Sequence, residues 1–111
     1  PMTPTTSYQA YIDACNACAT ACNACLAGCL REEDMQMMTR CIALDIDCAA
    51  ICQLTASAMA RNSEMARHLA RVCGEICLAC ANECVQHHHD HCQRCADACR
   101  QCAAACEAVN R

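Results

Sequence analysis

Apolar and polar positions alternate along this chain at steps of three and four residues, in four separate blocks. The first block is Cys15, Cys18, Cys22, Cys25 and Cys29, with mostly Ala and Asn between them. That period places all five sulfurs on one stripe of a helix. The second block is Cys41, Cys48 and Cys52, with Asp45 at the stripe position between the first two. The third is Cys73, Cys77, Cys80 and Cys84, and the fourth is Cys92, Cys95, Cys99, Cys102 and Cys106. Four blocks predict four helices, near 5–30, 34–61, 63–87 and 90–109. The breaks agree. Gly28 to Asp34 carries a glycine and an acidic run, while Asn62 and Ser63 offer an N-cap for the third helix. Asp90 with Gln93 reads as a capping box for the fourth, and Thr6 with Gln9 does the same for the first. Short connections make neighbouring helices antiparallel. The expectation is an all-α, up-down-up-down four-helix bundle, one domain over residues 1–111, with a Cys-lined core.

This topology sorts the remaining side chains to two ends. One end gathers Cys29, Met35, Met38, Cys41, Cys84, His87, His88, His91 and Cys92. The other gathers Tyr8, Tyr11, Met59, Leu69 and Val109, which extend the stripes as an apolar plug. Ile46, Leu54, Val72, Leu78 and Val85 fall outside the narrow stripes. Some are expected to pack between adjacent helices and the rest to form a self-association surface.

Composition sharpens the picture. Leu, Ile, Val and Phe together make only about 13% of the 111 residues, below the level at which a chain usually reads as ordered. The net charge of −4 does not force disorder, so something else must fill the core. Seventeen Cys and 23 Ala are the abundant candidates. Lys is absent and two Tyr are the only aromatics, which argues against a nucleic-acid partner. No unbroken run of about 18 apolar residues suggests a membrane span, and no charged start followed by an apolar segment suggests a leader.

Three explanations compete for the sulfurs. Free Cys packs as a small hydrophobe, which suits one or two per helix. Disulfides within one helix are strained because neighbouring Cβ atoms point in parallel directions, and an odd count leaves one thiol over. Bridges between helices remain open geometrically. The third explanation is metal. Thiolates select Cu(I), Zn(II) or iron–sulfur clusters. Zinc knuckles and iron–sulfur clusters usually take Cys from turns or loops, whereas every Cys here falls inside a predicted helix. Cu(I) accepts two or three thiolates, and facing stripes let sulfurs bridge ions along a tube. The capacity expected is on the order of one Cu(I) per Cys.

The spacings Cys15-x-x-Cys18-x-x-x-Cys22-x-x-Cys25, Cys41 to Cys52 through Asp45, Cys73-x-x-x-Cys77-x-x-Cys80-x-x-x-Cys84 and the run from His87 through His91 to Cys92, Cys95 and Cys99 resemble the bacterial four-helix-bundle copper storage proteins. The likeness covers nearly the whole chain and is closer to the cytosolic branch. It implies reversible binding of many Cu(I) ions inside the bundle, metal-binding roles for all seventeen Cys, a cytoplasmic location and assembly into tetramers.

Among the other residues, His87, His88 and His91 are candidate ligands at the mouth. His89 points elsewhere on the helical projection and is left out. Met38 lies three residues before Cys41 on the stripe and is the first thioether candidate, Met35 the second. Asp45 is a carboxylate on a core stripe, either a structural polar group or a weak ligand. Glu32, Glu33 and Asp34 read as a solvated turn, with cation attraction as a second reading. The leading function is Cu(I) storage and buffering, without enzyme activity. The alternatives are a copper chaperone or detoxification protein delivering Cu(I) to specific partners, with copper donor or acceptor proteins as the partners expected, and a thiol redox protein, for which Cys92 near a helix N-terminus is the one candidate.

Overall fold

The structure, a computed structural model, describes residues 4–110, with side chains from residue 8 onward. It consists of α1 (Pro4–Cys29), a short 3₁₀ turn (Met35–Met38), α2 (Thr39–Ala60), α3 (Ala66–Cys84) and α4 (Asp90–Val109). Helix α1 packs on α2 and α4, and α3 packs on the same two neighbours, so the helices form a square. The assembly is long and thin, 52 × 17 × 17 Å. Small residues make this cross-section possible. Ala19, Ala49, Ala56, Ala70, Ala81 and Ala96 are buried beside the Cys stripes, so neighbouring backbones approach closely. The expected all-α antiparallel four-helix bundle with a Cys-lined core is what is found.

The ends of the elements correct several sequence expectations. Asn62 does not begin α3; it ends α2. It has φ 53°, in the left-handed region. Its N–H donates to Met59 O at 3.1 Å, and the Ser63 N–H donates to Ala58 O at 2.9 Å. These two bonds are a Schellman closure, which satisfies the last carbonyls of α2. Ser63 instead accepts from the Met65 N–H at 3.1 Å, and α3 starts only at Ala66. Asp90 and Gln93 make no capping box. His89 is the N-cap residue of α4, and Gln93 donates to Val85 O and His87 O, tying α4 to the end of α3. The Thr6–Gln9 pair falls on a Thr6 side chain outside the described ones.

The apolar residues outside the stripes also divide differently. Ile12, Ile42, Leu44, Ile51 and Ile76 pack partly against the core. Ile46, Leu54, Val72, Leu78 and Val85 are all 38–52% exposed. One segment is nevertheless apolar enough to cross a membrane by length and composition alone, as a buried core helix can be. It is Met35–Ala60, with a mean hydropathy of 1.4. Cys, Met and Ala supply that value without forming an unbroken aliphatic run, and the Cys face of this segment packs inside the bundle.

The α2 terminus gives a direct test. The left-handed region costs an ordinary L-residue about 1 kcal/mol, whereas Gly and Asn occupy it readily. Asn62→Gly should therefore leave apo stability close to wild type, and Asn62→Ala should lower it by about 1 kcal/mol. Urea denaturation followed by circular dichroism measures both.

Candidate metal centre

All seventeen Cys are buried and all are free thiols. None of the disulfides left open by the sequence is present. Each helix turns its stripe to the axis, so the sulfurs of four helices converge on one column. Near the His-rich end, Cys25, Cys29, Cys41 and Cys92 place their sulfurs within 4.8 Å of one another. Below them come Cys22, Cys80, Cys95 and Cys99, then Cys18, Cys22, Cys48 and Cys99, then Cys18, Cys48, Cys52 and Cys77. Cys15, Cys52, Cys73 and Cys102 form a group toward the other end. Cys18, Cys22, Cys48, Cys52 and Cys99 each belong to two of these groups. A thiolate shared between adjacent groups is in position to bridge two ions, so the column is a ladder rather than a row of separate cages.

The spacing fits soft metal chemistry. Contacts such as Cys18–Cys99 at 3.6 Å, Cys25–Cys92 at 3.7 Å and Cys52–Cys102 at 3.9 Å recur along the axis. With a metal–sulfur bond of about 2.3 Å, as in a zinc thiolate, three sulfurs around one ion stand about 4.0 Å apart. The stripes already hold that distance. The closest pair is Cys41–Cys84, at 3.2 Å across α2 and α3.

Packing thiols this closely spreads their acidities. Hydrogen bonding from Cys41 and Cys84 pulls Cys25 down to about 5, with His91 adding to the effect. Hydrogen bonding from Cys106 and Cys15 lowers Cys102 to about 6. The interaction with Cys25 pushes Cys41 up to about 11. A thiolate surrounded by S–H donors is stabilised, and each donor then holds its own proton more firmly. Cys92, the candidate for thiol redox chemistry, is fully buried, and burial pushes its thiol upward. It lacks the exposed, acidified thiol that such chemistry needs.

Asp45 interrupts the sulfur column. Its Oδ1 accepts from the Cys80 and Cys95 thiols at 3.3 Å and from Cys84 at 3.6 Å. Its Oδ2 makes no hydrogen bond although it is buried. Burial, reinforced by the charges of Cys95 and Cys25, pushes the carboxyl up to about 12. At neutral pH it is therefore an uncharged acid, with Oδ2 as the place for its proton. Asp45, read from the sequence as a polar residue on a core stripe, is fully buried.

The mouth is assembled from the connections at both sides. Met38 is fully buried in the core cluster, while Met35 is 40% exposed. His91 turns Nδ1 toward Cys25 Sγ and Cys92 Sγ, 3.5 Å from each. Burial opposes protonation of His91, but Cys25 and Glu32 outweigh it and raise its pKa. His87 pairs with Glu83 at 2.7 Å, and Glu83 also binds Arg40. His88 is exposed and stacks on His89. His89, passed over in the sequence, is half-buried and pairs with Glu32 and Asp34. The acidic run is therefore not a purely solvated turn, and the hydrogen bond from His89 holds Asp34 below the usual carboxylate range. The clue was present in two halves, three consecutive His and an acidic triplet on turns that the topology brings to the same end. At the opposite end Tyr11 and Met59 are buried, and the Cys106 thiol donates to the Tyr11 hydroxyl at 3.1 Å. Tyr8 and Val109 pack partly against that plug.

The family model for copper storage proteins matches residues 4–111. The chain belongs to the copper storage protein family. A Cu(I)-bound copper storage protein, BsCsp3, is 42% identical, with a TM-score of 0.91 over 95% of this chain and 99% of that one. A cytosolic copper storage protein from Streptomyces lividans, described during loading with five coppers, is 36% identical, with a TM-score of 0.93 over 96% of this chain and 94% of that one. The uncharacterized cysteine-rich protein YhjQ of Bacillus subtilis is 44% identical over 72 residues, 65% of this chain and 67% of that protein. Within this copper storage fold, the sulfur ladder and the neutral Asp45 are both inside the bundle.

Asp45 gives a pH test with a definite sign. Its unfolded pKa is about 3.9 and its folded value is about 12. A raised folded value contributes stability that is fully present below about pH 4 and is lost as the pH rises toward 12. Asp45→Asn removes this loss. The apo variant should melt at least about 5 °C above wild type at pH 7–8, and the gap should close toward pH 4. Calorimetry at several pH values checks it, and the difference between the two proteins isolates Asp45 from the thiols.

Proposed function

We propose that this chain is a single-domain cytoplasmic protein that stores and buffers many Cu(I) ions on its interior thiolates and has no enzyme activity. The observation that carries the reading is the ladder of overlapping four-sulfur groups drawn from all four helices. Overlap is what a series of bridged soft ions needs, and a single transferable site does not need it. The copper-chaperone alternative calls for one exposed site that a partner can reach, and the described Cys are all buried. Relatives support the assignment, since one is named as Cu(I)-bound and a Streptomyces lividans relative is described as loaded with 10 copper equivalents. The cytoplasmic assignment rests on the relative described as cytosolic.

The inferred ligand set is the seventeen Cys. His91 stands 3.5 Å from two sulfurs at the mouth and Met38 is buried in the same core cluster, with His87, His88 and Met35 outside them as first contacts for an arriving ion. Thioether and imidazole hold Cu(I) less firmly than thiolate, so ions pass inward to sulfur and return when a chelator competes. The Tyr11 plug offers no such route. The exposed Ile46, Leu54, Val72, Leu78 and Val85 favour self-association, and a homotetramer is the assembly inferred.

Anaerobic Cu(I) titration with metal and thiol counts tests this directly. Saturation on the order of one ion per Cys is expected, with Cys22→Ser and Cys99→Ser each lowering capacity by about one ion. Saturation at one or two ions would support delivery instead of storage. Replacing Met38, His87 and His91 together should slow loading and removal in stopped-flow transfer while leaving capacity nearly intact. Unchanged rates there, with altered rates in Tyr8→Ala/Tyr11→Ala, would move the opening to the other end.

A further inference from the structure

The His-rich turn faces two ways. Inward, His91 presents Nδ1 to sulfur. Outward, its Nε2 lies 2.8 Å from Glu32 Oε2, and the same oxygen is 3.1 Å from His89 Nδ1. One carboxylate oxygen and two imidazole nitrogens thus meet from the α1–α2 connection, the α3–α4 connection and the first turn of α4. The second nitrogen of His89, Nε2, lies 3.1 Å from Asp34 Oδ1. The two rings stack nearly parallel, 5.4 Å apart at 4°, and His88 covers His89 from outside at 4.8 Å. Gly28 makes the seat. A β-carbon there would stand 2.6 Å from the His91 ring, so only the bare backbone lets the imidazole occupy this place.

We propose that Glu32, His89 and His91 form an outer site for a borderline divalent cation of the zinc or copper(II) kind, separate in ligand chemistry from the thiol interior. Two imidazoles and one carboxylate, with a fourth position left to water, are the donor set of open zinc sites. Among first-row divalent metals such nitrogen and oxygen donors hold copper(II) most tightly, and imidazole suits zinc as well. The two carboxylate–imidazole spacings, 2.8 and 3.1 Å, are nearly those of a metal site. Metal–ligand bonds of about 2.1 Å put tetrahedral donor atoms about 3.4 Å apart, so an arriving ion needs to spread these groups by only a few tenths of an ångström. Asp34 supplies the outer carboxylate that such sites use to fix a ligand imidazole, directing Nδ1 of His89 to the metal position. Glu32, Glu33 and Asp34 together add negative charge where the cation arrives. His91 joins the two chemistries, with its inner nitrogen on the sulfur side and its outer nitrogen on the carboxylate side.

The test uses the full chain loaded with Cu(I), so that the thiols are committed, a step that rests on the storage reading. Copper is counted first, so a failure of storage shows in the copper count and a failure of the outer site in the zinc count. Anaerobic equilibrium dialysis against Zn(II) should then show one tightly held zinc per chain. Glu32→Gln and His89→Ala should each weaken it at least tenfold, whereas His68→Ala on exposed α3 surface should not. One equivalent of Cu(II), frozen promptly, should give an electron paramagnetic resonance signal with hyperfine splitting from two nitrogens, reduced to one in His89→Ala. Zinc retention equal in wild type and both mouth variants would overturn the proposal and leave these contacts as ordinary ion pairs.

Discussion

The distance across the bundle axis is the constraint on which this structure depends. Seventeen thiols are useful together only if facing stripes hold their sulfurs within one ion's reach. Recurrent sulfur contacts of 3.6–3.9 Å meet that condition over most of the length. Larger core residues would push the helices apart and break it. The same condition explains the unusual composition. Ala beside Cys lets backbones approach, and the few Ile and Leu residues are confined to the seams and the outer surface. The fold therefore gives up much of the apolar burial that normally stabilises a domain of this size. Bound metal supplies a compensating stabilisation, because an unfolded chain offers no preformed site.

A column of thiols also needs control of its protons. Neighbouring S–H donors favour some thiolates, Cys25 and Cys102 among them, while other thiols keep their protons. Asp45 stands among these thiols as a neutral acid, below the group that faces His91. It takes thiol donors on one oxygen and has its other oxygen unpartnered. The mouth is chemically graded, from carboxylate and imidazole outside, through His91 and buried Met38, to sulfur alone. The far end closes on Tyr11 and Met59 and has no comparable grading.

Most of this was legible in the chain because the signal was periodic. Steps of three and four fixed the helices, their inner faces and which residues share an end, and Asp45 was recognisable as a polar group in the core. Local chemistry was less legible. Asn62 and Ser63 look like the start of a helix, yet Asn62 tolerates a left-handed backbone and closes the preceding one. Asp90 and Gln93 match a capping pattern, but Gln93 finds better acceptors at the end of α3. His89 fails a helical-stripe criterion because it precedes the first turn of α4, where helical projection does not apply. Its partners lie 55 and more residues away, and only the packed bundle brings them together. Gly28 likewise reads as a simple break, and its role as the seat for His91 depends on a ring from another helix.

The central claim is that sulfurs of different helices share ions along a continuous ladder. X-ray absorption at the copper edge, on protein loaded with about half its capacity of Cu(I), tests it most directly. The account predicts a first shell of two to three sulfurs together with a short copper–copper distance, since bridging thiolates hold adjacent ions close. A shell dominated by nitrogen or oxygen, or a sulfur shell with no copper–copper contribution at any loading, would contradict it.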